Sequence, residues 1–541
     1  MDSSVLTERK RDKTLRAFYN EALSKEYFFS LDDVLSRRKG GMILFEENKI
    51  VSECCDCGEP PHYTIDEALF YCLDKLFEYC AQANLGPTKS SRIFYIWFAS
   101  ITQGYNWIQT TGPLNTTIDN YDYSIRFPLN TFNEVFVWMN RIFNEVCLIM
   151  IPGFNTADLL SEERSILNLT DAQQLVFESQ VKAKGHYNNW SLSWNTWYNN
   201  RQNDGFVLAS VPPTAMVLPN GSISLEVSNT VDPATYPQPL KWTPLKIGTN
   251  VQKYLTYTWE NVISTGLTLG DVVTVKSAAN AFFPSVGARE TEIGELVTIT
   301  NTLNDEQKVI AEFWAGGPST VSPPGMLMYF WKEYVRAANT AHTQTLDRLI
   351  YSGFDLAIHL FETSRVVWGL KYDHMQARPI QEIRRLYRGV SLTNYDGSSI
   401  LGESWVPYQT STFVTPPFAD FPSGHSAYSR SFANVMNNWF GNSIGSHEIT
   451  YKNLNLICPL LPSSQTQMFG TFVVAKGTSE IQPNVVPSVD TKLSFSTWDD
   501  LATSAGISRK YGGIHATSAH TASVALANAL HTAVSNVWTF N

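Results

Sequence analysis

The stretch FPSGHSAYSR, residues 421–430, organises the second half of this chain. Its Pro-Ser-Gly-His turn leads into small and apolar residues, a pattern that predicts a helix beginning at the turn. The first N–H groups of a helix lack partners within it and carry a partial positive charge, which suits a tetrahedral oxyanion. We therefore expect Ser423 and the backbone N–H of Gly424 to bind such an anion. His425 would move a proton beside it.

Two further motifs supply positive charge. Upstream, WGLKYDHMQARP separates Lys371 from Arg378 by nearly two helical turns, so we expect both side chains on one helix face. Downstream, SRKYGGIH provides Arg509 and His515. Two arginines and a lysine exceed the need of a singly charged ligand and suit a multiply charged oxyanion. The remaining His515 is then free to bond the central atom of that anion.

In this order, the Lys-x6-Arg-Pro, Pro-Ser-Gly-His and Ser-Arg-x5-His motifs resemble the signature shared by vanadium-dependent haloperoxidases and type 2 phosphatidic acid phosphatases. SRKYGGIH resembles the haloperoxidase side more closely. Stretches that are similar to haloperoxidase-like chains also flank the motifs, at residues 91–108, 252–262, 310–325 and 478–487. The resemblance implies a mainly α protein of packed helical bundles with short β excursions. The anion site would lie at one end of the second bundle.

The resemblance also implies a vanadate (V5+) cofactor and a role for each motif residue. His515 would be the metal ligand, and His425 would be the catalytic acid–base group toward hydrogen peroxide. Lys371 is predicted to be catalytic as well. The equatorial oxygens of vanadate would be bound by Lys371, Arg378, Ser423, Gly424 and Arg509. With vanadium as a Lewis acid, the enzyme would oxidise chloride or bromide to a hypohalous species that halogenates a small organic acceptor.

Three more residues refine this expectation. Trp368 and Phe418 stand where the resemblance to fungal chloroperoxidases implies aromatic residues, so we expect them to form the halide pocket. An apolar wall there would strengthen the electrostatic interactions around the oxidant. We also expect a carboxylate partner for Arg509, with Glu312 as the candidate.

The alternative function is a soluble acid phosphatase that uses the same pocket. His515 would then attack phosphorus to form a phosphohistidine, and His425 would protonate the leaving oxygen. The core motifs do not separate the two reactions, because vanadate mimics the charge and transition-state geometry of phosphate. The flanking stretches, Trp368 and Phe418 favour the haloperoxidase. A carrier without activity is a third option, which the complete motif set disfavours.

Composition limits the class of protein and its partners. The chain has 541 residues, 43% hydrophobic residues and a net charge of -10, which is typical of a globular protein and disfavours nucleic-acid binding. No apolar run has the length of a membrane span, and no secretory signal is visible. We therefore expect a soluble protein, with the cytoplasm as candidate compartment and a homo-oligomer as an open option. The Cys54, Cys55 and Cys57 cluster lacks a matching second half, so free thiols or an incidental disulfide are favoured over zinc.

The pattern along the chain predicts three regions: a helical lead-in at 1–85, a first helical half at 86–305, and a second bundle at 306–541 that carries the vanadate site. Helices are predicted at 64–83, 91–109, 131–151 and 162–184, and later at 310–315, 326–341 and 345–367. Short runs at 206–210, 222–228, 272–277 and 463–496 are predicted to be β-like. The Trp-rich stretch at 186–205 is interpreted as irregular, with an exposed carbohydrate-binding surface as the second option.

Overall fold

The computed structural model describes residues 65–105, 129, 131–151, 153–184, 187–202, 204–211, 216–217, 223–224, 236, 238–338 and 345–540. The lead-in before residue 65 and the cysteine cluster lie outside these residues. In the described part the chain is mainly α, which confirms the predicted fold class. The helices are α1 Ile65–Gln82, α2 Gly86–Tyr105, α3 Phe132–Met150, α4 Thr156–Leu167, α5 Asp171–Lys184, α6 Tyr187–Gln202, α7 Phe206–Ser210, α8 Leu269–Asn280, α9 Val286–Asn301, α10 Asp305–Phe313, α11 Ser322–Ala338, α12 Leu346–His374, α13 Pro379–Leu386, α14 Gly424–Phe440, α15 Trp498–Tyr511 and α16 Thr517–Val537.

The sheets of the described part are two-stranded and antiparallel. Their strands are β1 Met216–Val217, β2 Ile223–Ser224, β3 Lys246–Ile247, β4 Asn250–Val251, β5 Ser391–Thr393, β6 Ser399–Leu401, β7 Glu448–Lys452, β8 Ser464–Met468, β9 Thr471–Val474 and β10 Thr491–Ser494. β7 pairs with β8 and β9 with β10, between α14 and α15. The β-like insertion predicted at 463–496 is therefore confirmed. No helix in the described ranges is long and apolar enough to cross a membrane.

The chain divides into two compact units, Met1–Lys75 with Ser124–Trp190 and Leu76–Tyr123 with Ser191–Asn541. In the first unit, the buried carboxylate of Glu163 on α4 accepts hydrogen bonds from Arg141 and Asn140 on α3. The second unit contains all the predicted site residues. The three regions expected from the sequence stay a prediction.

Several local predictions are wrong. The run at 272–277 lies inside α8, and the run at 206–210 is α7. At α8 the side chain of Thr268 accepts from the backbone N–H of Asp271 and the reverse bond also forms. This capping box fixes a helix start, and the β-branched residues follow it. The single helix predicted at 162–184 is broken by Asn168, which adopts a left-handed φ of 51° between α4 and α5.

The Trp-rich stretch is helix α6 and not an irregular segment. Trp190, Trp194 and Trp197 are 1%, 0% and 5% exposed. Rings that stack on a sugar must face solvent, so the carbohydrate-binding option is wrong. The helix was not predicted because the asparagines between the tryptophans obscure the helical periodicity of the apolar face.

Helix α12 is the centre of the second unit. From Leu349 to Lys371 its residues are buried on every side, as expected for a helix enclosed by other helices. It packs against α2, α11, α14 and α16. Close packing with α2 and α11 depends on Gly353, where a Cβ would overlap Cε1 of Phe98 and lie 2.9 Å from Cη2 of Trp331.

The end of α12 corrects the expected arrangement of the two upstream cations. The helix stops at His374 because Met375 adopts a left-handed φ of 47°. Arg378 is the N-cap of α13, whose first residue is Pro379. A residue before proline is driven out of the α region, so no helix could continue through this pair. Lys371 and Arg378 therefore lie on different helices and not on one helix face.

We predict that Gly353→Ala lowers the free energy of unfolding by about 1–3 kcal/mol, because the added methyl group overpacks the junction of α2, α11 and α12. Gly287→Ala on α9 is the matched control, since a Cβ there meets no atom within 4 Å. The control should be unchanged or more stable by up to about 1 kcal/mol, the ordinary helix preference for Ala over Gly. Denaturant unfolding measures both, and equal stability of the two variants would contradict the packing at Gly353.

Candidate active site

A cavity of about 200 Å³ lies in the second unit. Six of the predicted site residues line it: Trp368, Phe418, Gly424, His425, Arg509 and His515. Three others, Lys371, Arg378 and Ser423, are at most 1% exposed and lie behind the lining residues. The fold thus brings together motifs that are far apart in the sequence.

The turn from Phe418 to Pro422 connects the two upstream cations to the cavity. Nζ of Lys371 donates to the carbonyl oxygens of Ala419, Asp420 and Pro422 at 2.8, 3.0 and 2.5 Å. Nε of Arg378 donates to the carbonyl of Phe418 at 2.6 Å. All three ammonium protons of Lys371 can therefore be satisfied by backbone. Burial, reinforced by Arg378, holds the pKa of Lys371 well below its ordinary value.

The predicted helix start at the Pro-Ser-Gly-His turn is confirmed. Ser423 is the N-cap of α14, and its side chain accepts from the backbone N–H of Ser426. The Oγ of Ser523 on α16 donates to the Ser423 carbonyl at 2.8 Å, which fixes the turn from behind. Gly424 lines the cavity, and a Cβ there would come no closer than 3.8 Å to the ring of Trp368. The glycine therefore keeps the approach to the helix N-terminus clear.

His515 is held by a carboxylate that the sequence analysis missed. Its Nδ1 contacts Oδ1 of Asp420, and its Nε2 lies 3.2 Å from Nη1 of Arg378. Burial lowers the pKa of His515 to about 3 despite the opposing charge of Asp420, so the ring is neutral. Burial acts to raise the pKa of Asp420, but Arg289 and His515 hold it well below its ordinary value.

Asp420 is itself part of a buried charge network. Nη2 of Arg289 lies 2.8 Å from Oδ2 of Asp420 and 2.7 Å from Oε1 of Glu382. The sequence did contain a signal for Asp420, since a charged residue stands between the aromatic residues of FADFP. A charge in such an apolar segment is usually buried and paired. No comparable signal marks Arg289.

Arg509 binds the end of a helix and not the expected carboxylate. Its Nη2 donates to the carbonyl of Ala311 at 2.8 Å, in the last turn of α10. The final carbonyls of a helix lack partners and carry partial negative charge, which suits a guanidinium. Glu312 instead accepts from Tyr408 at 2.7 Å and from Ser479 at 2.5 Å. The hypothesis that Glu312 pairs with Arg509 is therefore wrong.

His425 lies beside Arg509 at the cavity. Its Nε2 is 3.2 Å from the carbonyl oxygen of Ala315 and 3.3 Å from Nη1 of Arg509. Burial lowers the pKa of His425 well below its ordinary value, and Arg509 and His515 add to the shift. The neutral imidazole is thus available to accept a proton.

The charges around the cavity do not balance. Lys371, Arg378, Arg509 and Arg289 face three carboxylates, those of Asp420, Glu382 and Glu292. Burial lowers the pKa of Arg378 to about 10 and that of Arg509 to about 9, and Arg378 adds to the shift at Arg509. Among the described groups, Nη2 of Arg378 is a buried donor without a hydrogen-bond partner. The site therefore favours a bound anion.

Trp368 and Phe418 form an aromatic wall of the cavity. Their ring centroids are 4.9 Å apart at an interplanar angle of 52°. Nε1 of Trp368 donates to the carbonyl of Leu255 at 3.0 Å, which fixes the indole. Nζ of Lys371 lies 5.1 Å from the centroid of the Phe418 ring. The wall is therefore rigid, and positive charge lies directly behind it.

Part of the chain matches a known protein family, and most of the chain is similar in fold to solved structures. Residues 353–539 match the protein-family model described as the VCPO second helical-bundle domain. No curated protein matches the chain. The crystal structure of the first bacterial vanadium-dependent iodoperoxidase is similar at a TM-score of 0.58 and 19% identity, over 89% of this chain and 98% of that one. A holo-type bacterial vanadium-dependent chloroperoxidase is similar at 0.57 and 14% identity, over 84% and 93%.

These findings support the resemblance seen in the motifs. The family match spans α12 to α16, which carry the three motifs and the aromatic wall. The similarity to solved structures extends the shared fold over most of the chain. Residues 353–539 thus match the VCPO second helical-bundle domain, and the chain shares its fold with these solved vanadium-dependent peroxidases.

Proposed function

We propose that this protein is a vanadium-dependent haloperoxidase, which oxidises halide with hydrogen peroxide to a hypohalous species that halogenates organic acceptors. The observation that carries the proposal is the meeting of His425, His515 and Arg509 at one cavity whose wall is Trp368 and Phe418. The match to the haloperoxidase helical-bundle domain supports it.

The residues present fit vanadate. The cations around the cavity outnumber the carboxylates, and the buried Nη2 of Arg378 is a donor that an anion would satisfy. The neutral ring of His515 offers Nε2 as a nitrogen ligand once Asp420 occupies the Nδ1 side. Bound vanadate would supply a Lewis-acidic centre that polarises hydrogen peroxide.

Each residue then has a physical role. Arg378 and Arg509 would offer guanidinium donors to anionic oxygens, and the N-terminus of α14 would add the backbone N–H of Gly424, whereas the N–H of Ser423 donates to the carbonyl of Ala519. Lys371 keeps the neighbouring turn in place through its carbonyl partners and contributes positive charge to the site. A direct contact from Lys371 to the anion would replace one of these carbonyls.

His425 would be the proton acceptor for hydrogen peroxide. Its pKa lies below the ordinary value, so the ring is unprotonated at neutral pH and ready to accept a proton. Arg509 beside it disfavours the protonated ring, and the proton is therefore released readily to a later leaving oxygen. The rings of Trp368 and Phe418 would exclude water from the halide, which strengthens its attraction to the cations behind them.

An acid phosphatase is the second candidate, and the Asp420–His515 pair favours it. A carboxylate that holds the Nδ1–H of an imidazole leaves Nε2 as a nucleophile, which could attack phosphorus. The same cations would stabilise the phosphoryl oxygens.

We predict vanadate-dependent halogenation by the purified, phosphate-free protein. A dione dye with hydrogen peroxide and chloride or bromide reports halogenation, with and without orthovanadate. p-Nitrophenyl phosphate reports phosphatase activity on the same plate. Phosphate cleavage that vanadate inhibits, without halogenation, would replace the proposal by the phosphatase. Silence in both assays would indicate a carrier.

We predict that the two histidines fail in different ways. His515→Ala removes the nitrogen ligand, so vanadate binding by equilibrium dialysis should be lost together with activity. His425→Ala removes only the proton acceptor, so binding should persist while kcat falls about 10²–10⁴-fold. Retention of full haloperoxidase activity by His515→Ala would contradict the ligand assignment.

A further inference from the structure

We propose that Asp420 is the positioning residue of this site, because it accepts the Nδ1–H of His515 and so fixes the tautomer in which Nε2 carries the free lone pair. The inference rests on the proposed function, because the tautomer matters for the reaction only if Nε2 bonds the oxyanion. The tautomer itself is a property of the protein without any anion. It can therefore be tested separately.

Two contacts define the tautomer. Oδ1 of Asp420 contacts Nδ1 of His515, and both residues are buried, at 0% and 2% exposure. A carboxylate only accepts hydrogen bonds, so Nδ1 must carry the hydrogen. On the other side of the ring, Nη1 of Arg378 lies 3.2 Å from Nε2. A guanidinium only donates, so it requires Nε2 to accept. Both neighbours thus select the same tautomer.

Arg378 also covers the lone pair that an anion would need. Its Nη1 is within hydrogen-bond distance of both the carbonyl of Ile514 and Nε2 of His515, at 3.0 and 3.2 Å. An oxyanion that satisfies this guanidinium would remove it from Nε2. The anion and the freed lone pair of Nε2 would then lie on the same side of the ring. Binding of an anion oxygen by Arg378 would therefore favour the bond between the anion and His515.

Arg289 makes the choice of Asp at position 420 specific. Its Nη2 lies 2.8 Å from Oδ2 of Asp420, and Glu382 fixes the same guanidinium at 2.7 Å. In an Asp420→Asn variant the amide oxygen must face Arg289, because both the guanidinium and the amide NH2 are donors. The NH2 group would then face Nδ1 of His515 and require it to accept. The hydrogen would then move to Nε2, with Nη1 of Arg378 left to donate to the carbonyl of Ile514 alone, and the lone pair needed at the site would be lost.

The experiment follows the ring nitrogens of His515 in protein labelled with ¹⁵N histidine, at pH 7 and without anion. Protonated and unprotonated ring nitrogens differ widely in ¹⁵N chemical shift, and the signal is assigned by its loss in His515→Gln. We expect the Nδ1–H form in the wild type and the Nε2–H form in Asp420→Asn. Affinity for orthovanadate and for inorganic phosphate, measured by calorimetry, should fall about 10- to 100-fold in the variant.

Asp355→Asn is the matched control. Asp355 pairs with Nδ1 of His359 at 2.9 Å and accepts from Nε1 of Trp439 at 2.8 Å, so it is a second buried Asp–His pair with its own donor. It lies on α12 sixteen residues before Lys371, about 24 Å along the helix. The backbone carbonyl of Asp355 also lies 2.9 Å from Nδ1 of His359 and keeps the hydrogen there, so this variant should leave the tautomers of His359 and His515 and the anion affinity unchanged. A loss of stability shared by both variants is thereby separated from the effect on the site.

The outcomes are distinct. An Nε2–H tautomer of His515 in the wild type would overturn the inference even if Asp420→Asn does not fold. Wild-type tautomer and affinity in a folded Asp420→Asn would overturn it as well. The expected tautomers in a protein that binds neither anion would uphold the role of Asp420 and contradict the proposed function.

Discussion

The structure of the site depends on how buried positive charge is balanced. Lys371, Arg378 and Arg509 are at most 1% exposed, and isolated charges would be very costly at such depth. Most of their partners are backbone carbonyls and not carboxylates. Carbonyl dipoles solvate a cation without cancelling its charge. The protein thereby keeps three cations buried and still attractive to an anion, whereas a carboxylate on each would have left a neutral site.

The helix ends provide these dipoles from both directions. The N-terminus of α14 presents the backbone N–H of Gly424 at the cavity, while the N–H of Ser423 donates to the carbonyl of Ala519. The last turn of α10 offers the carbonyl of Ala311 to Arg509. Opposite ends of two helices thus meet at one cavity, one favouring the ligand and the other the cation that binds it. The carboxylates of Asp420 and Glu382 pair most closely with Arg289 and His515, and Oδ1 of Asp420 also lies 3.7 Å from Nη1 of Arg378.

The sequence predicted which motif residues meet at the cavity better than it predicted how they are held there. The motif residues Gly424, His425, Arg509 and His515 meet at the cavity. The fixed spacing within each motif sets where its residues lie on a turn and the adjoining helix, and such a spacing can be recognised in the sequence. The prediction that Lys371 and Arg378 share one helix face was wrong, because the proline after Arg378 prevents a helix from continuing through this pair. Glu312 was the wrong partner for Arg509 because the actual partner is a backbone carbonyl, which no sequence pattern marks. Asp420 was missed because its partners, Arg289 and His515, are far away along the chain.

The turn from Phe418 to Pro422 is held through its main chain, and this affects which side chains the site can accept. Lys371 binds three carbonyls there and none of the side chains. Every amino acid provides the same carbonyl, so the path of the turn does not depend on which side chains it carries. The side chain at position 420 is then available to pair with Arg289 and His515 while the helix start beyond it stays in register. A shared scaffold of this kind can acquire a carboxylate behind its histidine by a change at one position, without rebuilding the loop.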